Sequence, residues 1–109
     1  EGRDMNLLVV GDADAEKKVW VIARQHPGET MAEWFVEGML EALLDQANPF
    51  ARQCLQDAVF YVVPNMNPDG AFHGHLRTNA MGQDLNRAWQ NASQEVSPEV
   101  LFVQQQMEK

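Results

Sequence analysis

The sequence contains 109 residues, which is enough for one domain or for part of a larger one. Its hydrophobic share of 45% is typical of a globular protein and not of a disordered one. Sixteen acidic residues against eight basic ones give a net charge of −8. This charge argues against nucleic acids and anionic membranes as partners, because both bind to basic surfaces, but it permits a small anionic group held by one or two arginines.

Membrane and export signals are not visible in the sequence. No run approaches the ~18 apolar residues that a membrane-spanning helix needs, and the residues after Glu1 lack the pattern of a signal peptide. Cys54 is the only cysteine, so neither an internal disulfide nor a cysteine-rich zinc knuckle is expected. This cysteine usage fits a cytoplasmic location.

Two strands are predicted near the start of the chain. Residues 5–10 are short, apolar and followed by Gly11-Asp12, as is typical of a strand that ends in a turn. Residues 18–23 show little alternation, which predicts a strand buried on both faces. The short connection between them predicts a β-hairpin, and therefore an antiparallel pair in a mixed sheet.

The strongest helix prediction covers residues 30–47. Thr30 followed by Glu33 forms the pattern of a capping box, and Asn48-Pro49 ends the helix. Apolar residues recur at helical spacing and predict one stripe that packs on the core. This stripe consists of Met31, Trp34, Phe35, Gly38, Met39, Ala42 and Leu43.

The second half of the chain has fewer predicted elements. A short helical turn is predicted at 50–55 and a third strand at 58–63, whose residues are apolar and partly β-branched. Residues 65–91 read as a long loop, which is often functional, with a type I turn at 67–70. Ser97 and Pro98 then open a final helix that runs toward Lys109.

The order of these elements predicts an α/β fold in which helices cover a sheet. Three strands and two helices are few for such a sheet. We therefore expect the chain to be the first part of a larger domain.

A histidine and a glutamate lie three residues apart where the second strand leads into the first helix. Pro27 has a fixed φ and Gly28 is conformationally free, so the turn can fold His26 and Glu29 toward one point. An imidazole nitrogen and a carboxylate suit a zinc ion, at ~2.0–2.2 Å from each. The end of such a strand is also where ligands usually bind, although the same residues occur in ordinary surface turns.

Two arginines lie in the long polar loop of this acidic chain. Each presents a fork of donors that matches a carboxylate, and Asn86 beside Arg87 adds neutral donors. The alternative is that Arg77 and Arg87 are solvated and pair with a residue such as Asp84, as surface arginines often do.

Three motifs in this order resemble the zinc metallocarboxypeptidases of the M14 family, and most closely the cytosolic carboxypeptidase-like branch and its bacterial relatives. They are His26-Pro27-Gly28-Glu29, Pro64-Asn65-Met66-Asn67-Pro68-Asp69-Gly70 and Asp84-Leu85-Asn86-Arg87-Ala88-Trp89. The resemblance runs over nearly the whole chain. It implies a three-layer α/β/α domain with a mixed sheet, of which residues 1–109 form the N-terminal portion of a single catalytic domain.

The resemblance also implies a reaction and a role for several residues. The reaction is hydrolysis of the C-terminal residue of a peptide or protein, with zinc as the cofactor. His26 and Glu29 match the first two zinc ligands. Arg77 matches the arginine that binds the scissile carbonyl and stabilises its oxyanion. Asn86 and Arg87 match the pair that grips the terminal carboxylate of the substrate.

Some parts of the family's site have no match here. In this family the third zinc ligand, the tyrosine that caps the substrate and the general-base glutamate lie beyond the point where this chain stops. His73 and His75 match no catalytic position and are interpreted as loop histidines. The 109-residue chain alone is therefore expected to be inactive.

Two other functions remain open at this stage. The aspartoacylase and succinylglutamate desuccinylase group, which are N-acyl amino acid amidohydrolases, resembles the chain at the His-Glu and Asn-Arg motifs. The Asn-Pro-Asp-Gly turn favours the peptidase. The second alternative is a non-catalytic remnant that acts as a binding module, because a third ligand and a base are not present in these residues.

Overall fold

A computed structural model describes residues 1–109. Its elements in chain order are β1 (Leu8–Val10), β2 (Lys17–Ile22), α1 (Met31–Leu44), α2 (Pro49–Asp57), β3 (Ala58–Val63), α3 (Pro68–His73), the 3-10 helix η1 (Leu85–Arg87) and α4 (Pro98–Met107). None of the helices combines the length and the apolar character that a membrane span requires.

The last strand in sequence lies at the centre of the three-stranded sheet, whose order is β1-β3-β2. β1 runs antiparallel to β3 and β2 runs parallel to it. The sheet is therefore mixed, as predicted, but the predicted hairpin is wrong because β3 separates β1 from β2. In this central place β3 is covered on both faces, and its residues 58, 59, 62 and 63 are buried.

Alternate residues of β2 pack into two different cores. Trp20 and Ile22 pack against a core that includes Val103 of α4, whereas Val21 packs against a core that includes Val36 of α1. Successive residues of a strand point to opposite faces of a sheet. α1 and α4 therefore cover opposite faces, which is the predicted three-layer α/β/α arrangement.

Helix α1 faces the sheet with a stripe that shares Met39 with the predicted one but otherwise differs from it. Its core contacts come from Val36 with Ala32, Met39 and Leu40. Three large residues of the predicted stripe are exposed instead: Met31 at 64%, Trp34 at 72% and Phe35 at 65%. The prediction failed because both faces of this helix carry apolar residues, so that their spacing alone does not identify the buried face.

The predicted capping box at the start of α1 is also wrong. Thr30 has helical backbone angles and its side chain makes no capping hydrogen bond. Glu33 instead forms an ion pair with Arg24, in which Nη1 lies 2.7 Å from Oε2.

The long segment after β3 is more ordered than predicted. It contains α3 and η1, and Met66, Leu85 and Ala88 are buried in the core on the α4 side of the sheet. The predicted turn at 67–70 opens α3, where the Asn67 Oδ1 accepts a hydrogen bond of 3.0 Å from the Gly70 backbone N–H. Ser97 precedes α4 as predicted, but its hydroxyl accepts from the Ser93 N–H and does not cap the helix.

Gly70 is a position where a side chain would break the packing of this segment. A Cβ there would lie 2.4 Å from the Thr78 carbonyl oxygen and 2.6 Å from Pro27 Cγ. Gly70→Ala is therefore expected to lower the free energy of unfolding of the full-length protein by about 1–3 kcal/mol. Gly38 in α1 faces open space, so Gly38→Ala is the matched control and should raise this free energy by about 0.5–1 kcal/mol. Urea denaturation of both variants is the measurement, and equal midpoints would contradict the packing argument.

Candidate metal and substrate site

The candidate site lies at the carboxyl ends of β2 and β3, which share one edge of the sheet because the two strands are parallel. Two backbone hydrogen bonds of 2.9 Å extend their pairing past the strand ends, from Ala23 N–H to the Val63 oxygen and from Met66 N–H to the Ala23 oxygen. The turn that carries His26 and Glu29 begins directly after this extension. The site therefore lies where open α/β sheets usually bind ligands.

The turn brings the two predicted metal ligands together. His26 Nδ1 lies 3.2 Å from Glu29 Oε1, and the turn is closed by a backbone hydrogen bond of 3.1 Å from Glu29 N–H to the His26 oxygen. Two ligands that each lie ~2.0–2.2 Å from a tetrahedral zinc ion are about 3.3–3.5 Å apart. The separation and the chemistry of these two atoms therefore fit a shared zinc ion.

Asp84 lies on the other side of the His26 ring, with its Oδ1 3.1 Å from His26 Nε2. A proton on Nε2 would be donated to Asp84 and would leave the Nδ1 lone pair directed at Glu29, as in carboxylate–histidine–zinc arrangements. Burial acts to raise the pKa of Asp84, but the Asn86 backbone N–H, His26 and Arg77 together hold that pKa below its ordinary value. Asp84 is thus charged at neutral pH and able to orient the ring.

The sequence interpretation did not assign Asp84 to the metal site and considered it only as an ion-pair partner for arginine. Two features could have identified Asp84 from the sequence. It belongs to the Asp84-Leu85-Asn86-Arg87 motif, and a metal-bound histidine generally donates its other ring N–H to a carboxylate or a carbonyl.

Asp84 also connects the arginine loop to His26, one of the two predicted metal ligands. Its carboxylate accepts a hydrogen bond of 3.0 Å from the Asn86 backbone N–H and so caps η1, which carries Asn86 and Arg87. Arg77 Nη1 lies 3.8 Å from Asp84 Oδ2, and 58% of the Arg77 side chain is exposed. Asn86 and Arg87 are exposed as well. His26, Arg77 and the Asn86 backbone therefore meet at one carboxylate, with the donor side chains open to solvent.

A second set of hydrogen bonds joins the three sequence motifs at Gln25, the residue before His26. Trp89 Nε1 donates to the Gln25 side-chain oxygen at 2.7 Å, and Asn67 Nδ2 donates to its backbone oxygen at 3.2 Å. Each of the two later motifs therefore contributes one contact that holds the turn in place.

The two loop histidines make local contacts. His73 pairs with Glu1, and His75 Nδ1 lies 3.2 Å from the backbone oxygens of both Thr78 and Asn79. The two rings stack on each other at 5.6 Å. No group of three or more His, Cys, Asp or Glu side chains is arranged to hold a metal ion, so a third ligand from outside these residues remains a prediction.

The sequence profile of the zinc carboxypeptidase family, peptidase M14, matches residues 1–106. The chain belongs to this family. The match confirms the resemblance on which the three motifs were interpreted.

Several individual relatives also carry carboxypeptidase names. Human cytosolic carboxypeptidase 1 is 43% identical over 82 residues, which cover 75% of this chain and 7% of that protein. An uncharacterised protein of Zymomonas mobilis is 52% identical over 109 residues, all of this chain and 28% of that protein. A metallo-carboxypeptidase from Pseudomonas aeruginosa, solved in complex with (2-guanidinoethylmercapto)succinic acid, has a TM-score of 0.93 and 59% identity over 98% of this chain and 29% of that one. The chain thus spans less than a third of the length of these relatives.

The contact between His26 and Asp84 leads to a prediction about metal affinity. Asp84→Asn keeps the size of the side chain but removes the charge that orients His26. Zinc affinity of the full-length protein, measured by calorimetry after removal of the metal, is expected to fall about 10–100-fold. Asp14→Asn is a matched control at an exposed turn and should leave the affinity unchanged. Equal affinities for the two variants would remove Asp84 from the metal site.

Proposed function

We propose that the full-length protein is a zinc-dependent carboxypeptidase that removes the C-terminal residue of a peptide or protein. The observation that carries this proposal is the 3.2 Å separation of His26 Nδ1 and Glu29 Oε1. Membership of the zinc carboxypeptidase family supports the reaction class.

His26 and Glu29 would hold zinc together with a third ligand from outside these residues, since catalytic zinc usually has three protein ligands. When bound, zinc would polarise the scissile carbonyl and supply an activated water. Asp84 keeps the His26 ring turned so that Nδ1 faces the site. Residues 1–109 would therefore contribute two of the zinc ligands in a fixed relative position.

The exposed donors beside this pair suit a substrate that ends in a carboxylate. The guanidinium of Arg87 can bind that group through two parallel hydrogen bonds, and Asn86 adds further donors. Arg77 would donate to the carbonyl oxygen at which negative charge develops during hydrolysis. This division of roles requires both arginines to meet the substrate, and their exposure supports it.

The proposal assigns residues 1–109 to the N-terminal portion of a single catalytic domain. The third ligand and the general base then lie outside these residues, and the 109-residue chain alone is inactive. A cytoplasmic location is part of the proposal, supported by the single cysteine and by the similarity to a cytosolic carboxypeptidase.

The test is a substrate comparison with the full-length protein. Peptides with a free C-terminus should lose their last residue, C-terminally amidated peptides should not, and a chelator should stop the reaction until zinc is restored. (2-Guanidinoethylmercapto)succinic acid, which carries two carboxylates and is bound by the Pseudomonas relative, is a suitable competitor. Cleavage of N-acyl amino acids and not of peptides would identify the amidohydrolase instead. Peptide binding without turnover would identify a binding module.

A further inference from the structure

Arg24 has an unusual backbone conformation just before the metal-ligand turn. Its φ is 53°, and it is the only residue other than glycine with a positive φ. This left-handed conformation is unfavourable for a residue with a Cβ, and it persists where the surroundings fix it. It allows the chain to leave β2 and turn back toward α1.

The side chain of Arg24 folds over the same turn. Its Nε donates a hydrogen bond of 2.9 Å to the Pro27 carbonyl oxygen, and its Nη1 pairs with Glu33 Oε2 at 2.7 Å. Only 17% of the side chain is exposed. Pro27 lies between the two proposed ligands and Glu33 lies in the first turn of α1, so this one guanidinium spans the segment from His26 to the helix.

The Pro27–Gly28 peptide is thereby held from both sides. Its carbonyl oxygen accepts from Arg24, and its N–H, which belongs to Gly28, donates to the Leu76 oxygen at 3.0 Å. A peptide unit is planar, so fixing both of its polar groups fixes its orientation. Because this peptide lies between His26 and Glu29 in the chain, a rotation of its plane would move Glu29 relative to His26.

We propose that Arg24 is a positioning residue for the metal site. Its guanidinium fixes the orientation of the Pro27–Gly28 peptide and so sets the separation of His26 Nδ1 and Glu29 Oε1, while Glu33 holds the guanidinium in place. The inference rests on the proposed function, because it takes these two atoms as the metal ligands.

Arg24→Gly separates the side chain from the backbone conformation. Glycine adopts a φ of this sign without strain, so the unfolding midpoint in urea should change little. Zinc affinity of the metal-stripped full-length protein should fall on the order of tenfold, as for the loss of an outer-shell partner. The visible absorption of the cobalt(II)-substituted protein should also change, because it reports the geometry of the ligands and not the stability of the fold.

Two further variants make the comparison specific. Arg24→Lys keeps a positive charge that can pair with Glu33, but it lacks the second donor group that bonds the Pro27 carbonyl. It should therefore bind zinc as weakly as Arg24→Gly. Arg52 is the matched control, because its Nη1 also donates to a backbone oxygen, that of Gln46, at 2.6 Å. It lies on α2, which leads into the amino end of β3, away from the site. Arg52→Lys should keep the zinc affinity and the cobalt spectrum of the wild type.

The outcomes separate this inference from the proposed function. A wild-type protein that binds no zinc would refute the proposed function. A wild type that binds zinc, together with an Arg24→Gly variant of equal affinity and unchanged cobalt spectrum, would overturn the positioning role alone. A lower unfolding midpoint in both Arg24→Gly and Arg24→Asn, which also tolerates this backbone region, with a cobalt spectrum equal to that of the wild type, would assign Arg24 a merely structural role and overturn the inference. Full recovery by Arg24→Lys would overturn it as well.

Discussion

His26→Ala in the full-length protein is expected to weaken zinc binding by more than the ~10–100-fold that loss of an outer-shell partner costs, and to remove peptidase activity. The same result is expected for Glu29→Ala. The reason is geometric, since the two side chains supply facing ligand atoms 3.2 Å apart and no neighbouring group of three His, Cys, Asp or Glu side chains can replace them. Calorimetry with zinc on the metal-stripped protein is the measurement.

His75→Ala is the matched control for this experiment. Its imidazole faces backbone oxygens of its own loop, so its loss should leave zinc affinity unchanged. A loss of affinity in His75→Ala, or in His73→Ala, would instead place one of these rings in the metal site. The isolated 109-residue chain should bind zinc more weakly than the full-length protein. Equal affinity would mean that the third ligand lies within these residues.

The metal-ligand turn was accessible from the sequence because its information is local. Pro27 restricts the turn, and the strand before it and the helix after it were both predicted close to their observed bounds. Gly28 does not use the conformational freedom expected of it, since its φ is not positive. It is small because a Cβ there would lie 3.0 Å from the Leu76 oxygen. The α/β class and the mixed sheet followed from the order of the elements. The third strand was predicted with its observed bounds, Ala58–Val63, because it is apolar throughout and is followed by Pro64.

The main errors depend on contacts that no local pattern shows, most of them between residues distant in the chain. The pairing of β1 with β3 cannot be read from the short connection between β1 and β2, because the partner strand lies about fifty residues later. The buried face of α1 is decided by Val36 meeting the sheet, and not by the larger Trp34. Asp84 contacts His26 across 58 residues, and the left-handed backbone of Arg24 is supported by a proline oxygen and a glutamate that no local pattern connects.

If the proposed function holds, the two arginines of the loop are expected to affect different kinetic constants of the full-length protein. Arg87 should contact the terminal carboxylate, whose charge is the same in the ground state and in the transition state, and uniform binding of this kind mainly sets KM. Arg77 should contact an oxygen that becomes charged only in the transition state. Steady-state kinetics with peptides that end in a free carboxylate, together with inhibition of that reaction by the matched amides, can separate these two roles.

Arg77→Ala should therefore lower kcat by about 10²–10³ with a small change in KM. Because Arg77 also lies 3.8 Å from Asp84, zinc affinity should be measured in the same variant, and it should stay near that of the wild type if the loss belongs to the substrate contact. Arg87→Ala should raise KM for peptides with a free C-terminus and leave the inhibition constant of amidated peptides, which are not cleaved, unchanged. Arg87→Lys should restore little, because a point charge lacks the two-pronged geometry, and Arg52→Ala is the surface control. Near-normal kinetics for both alanine variants would show that the two arginines are solvated side chains, and exchanged effects would reverse their assignment.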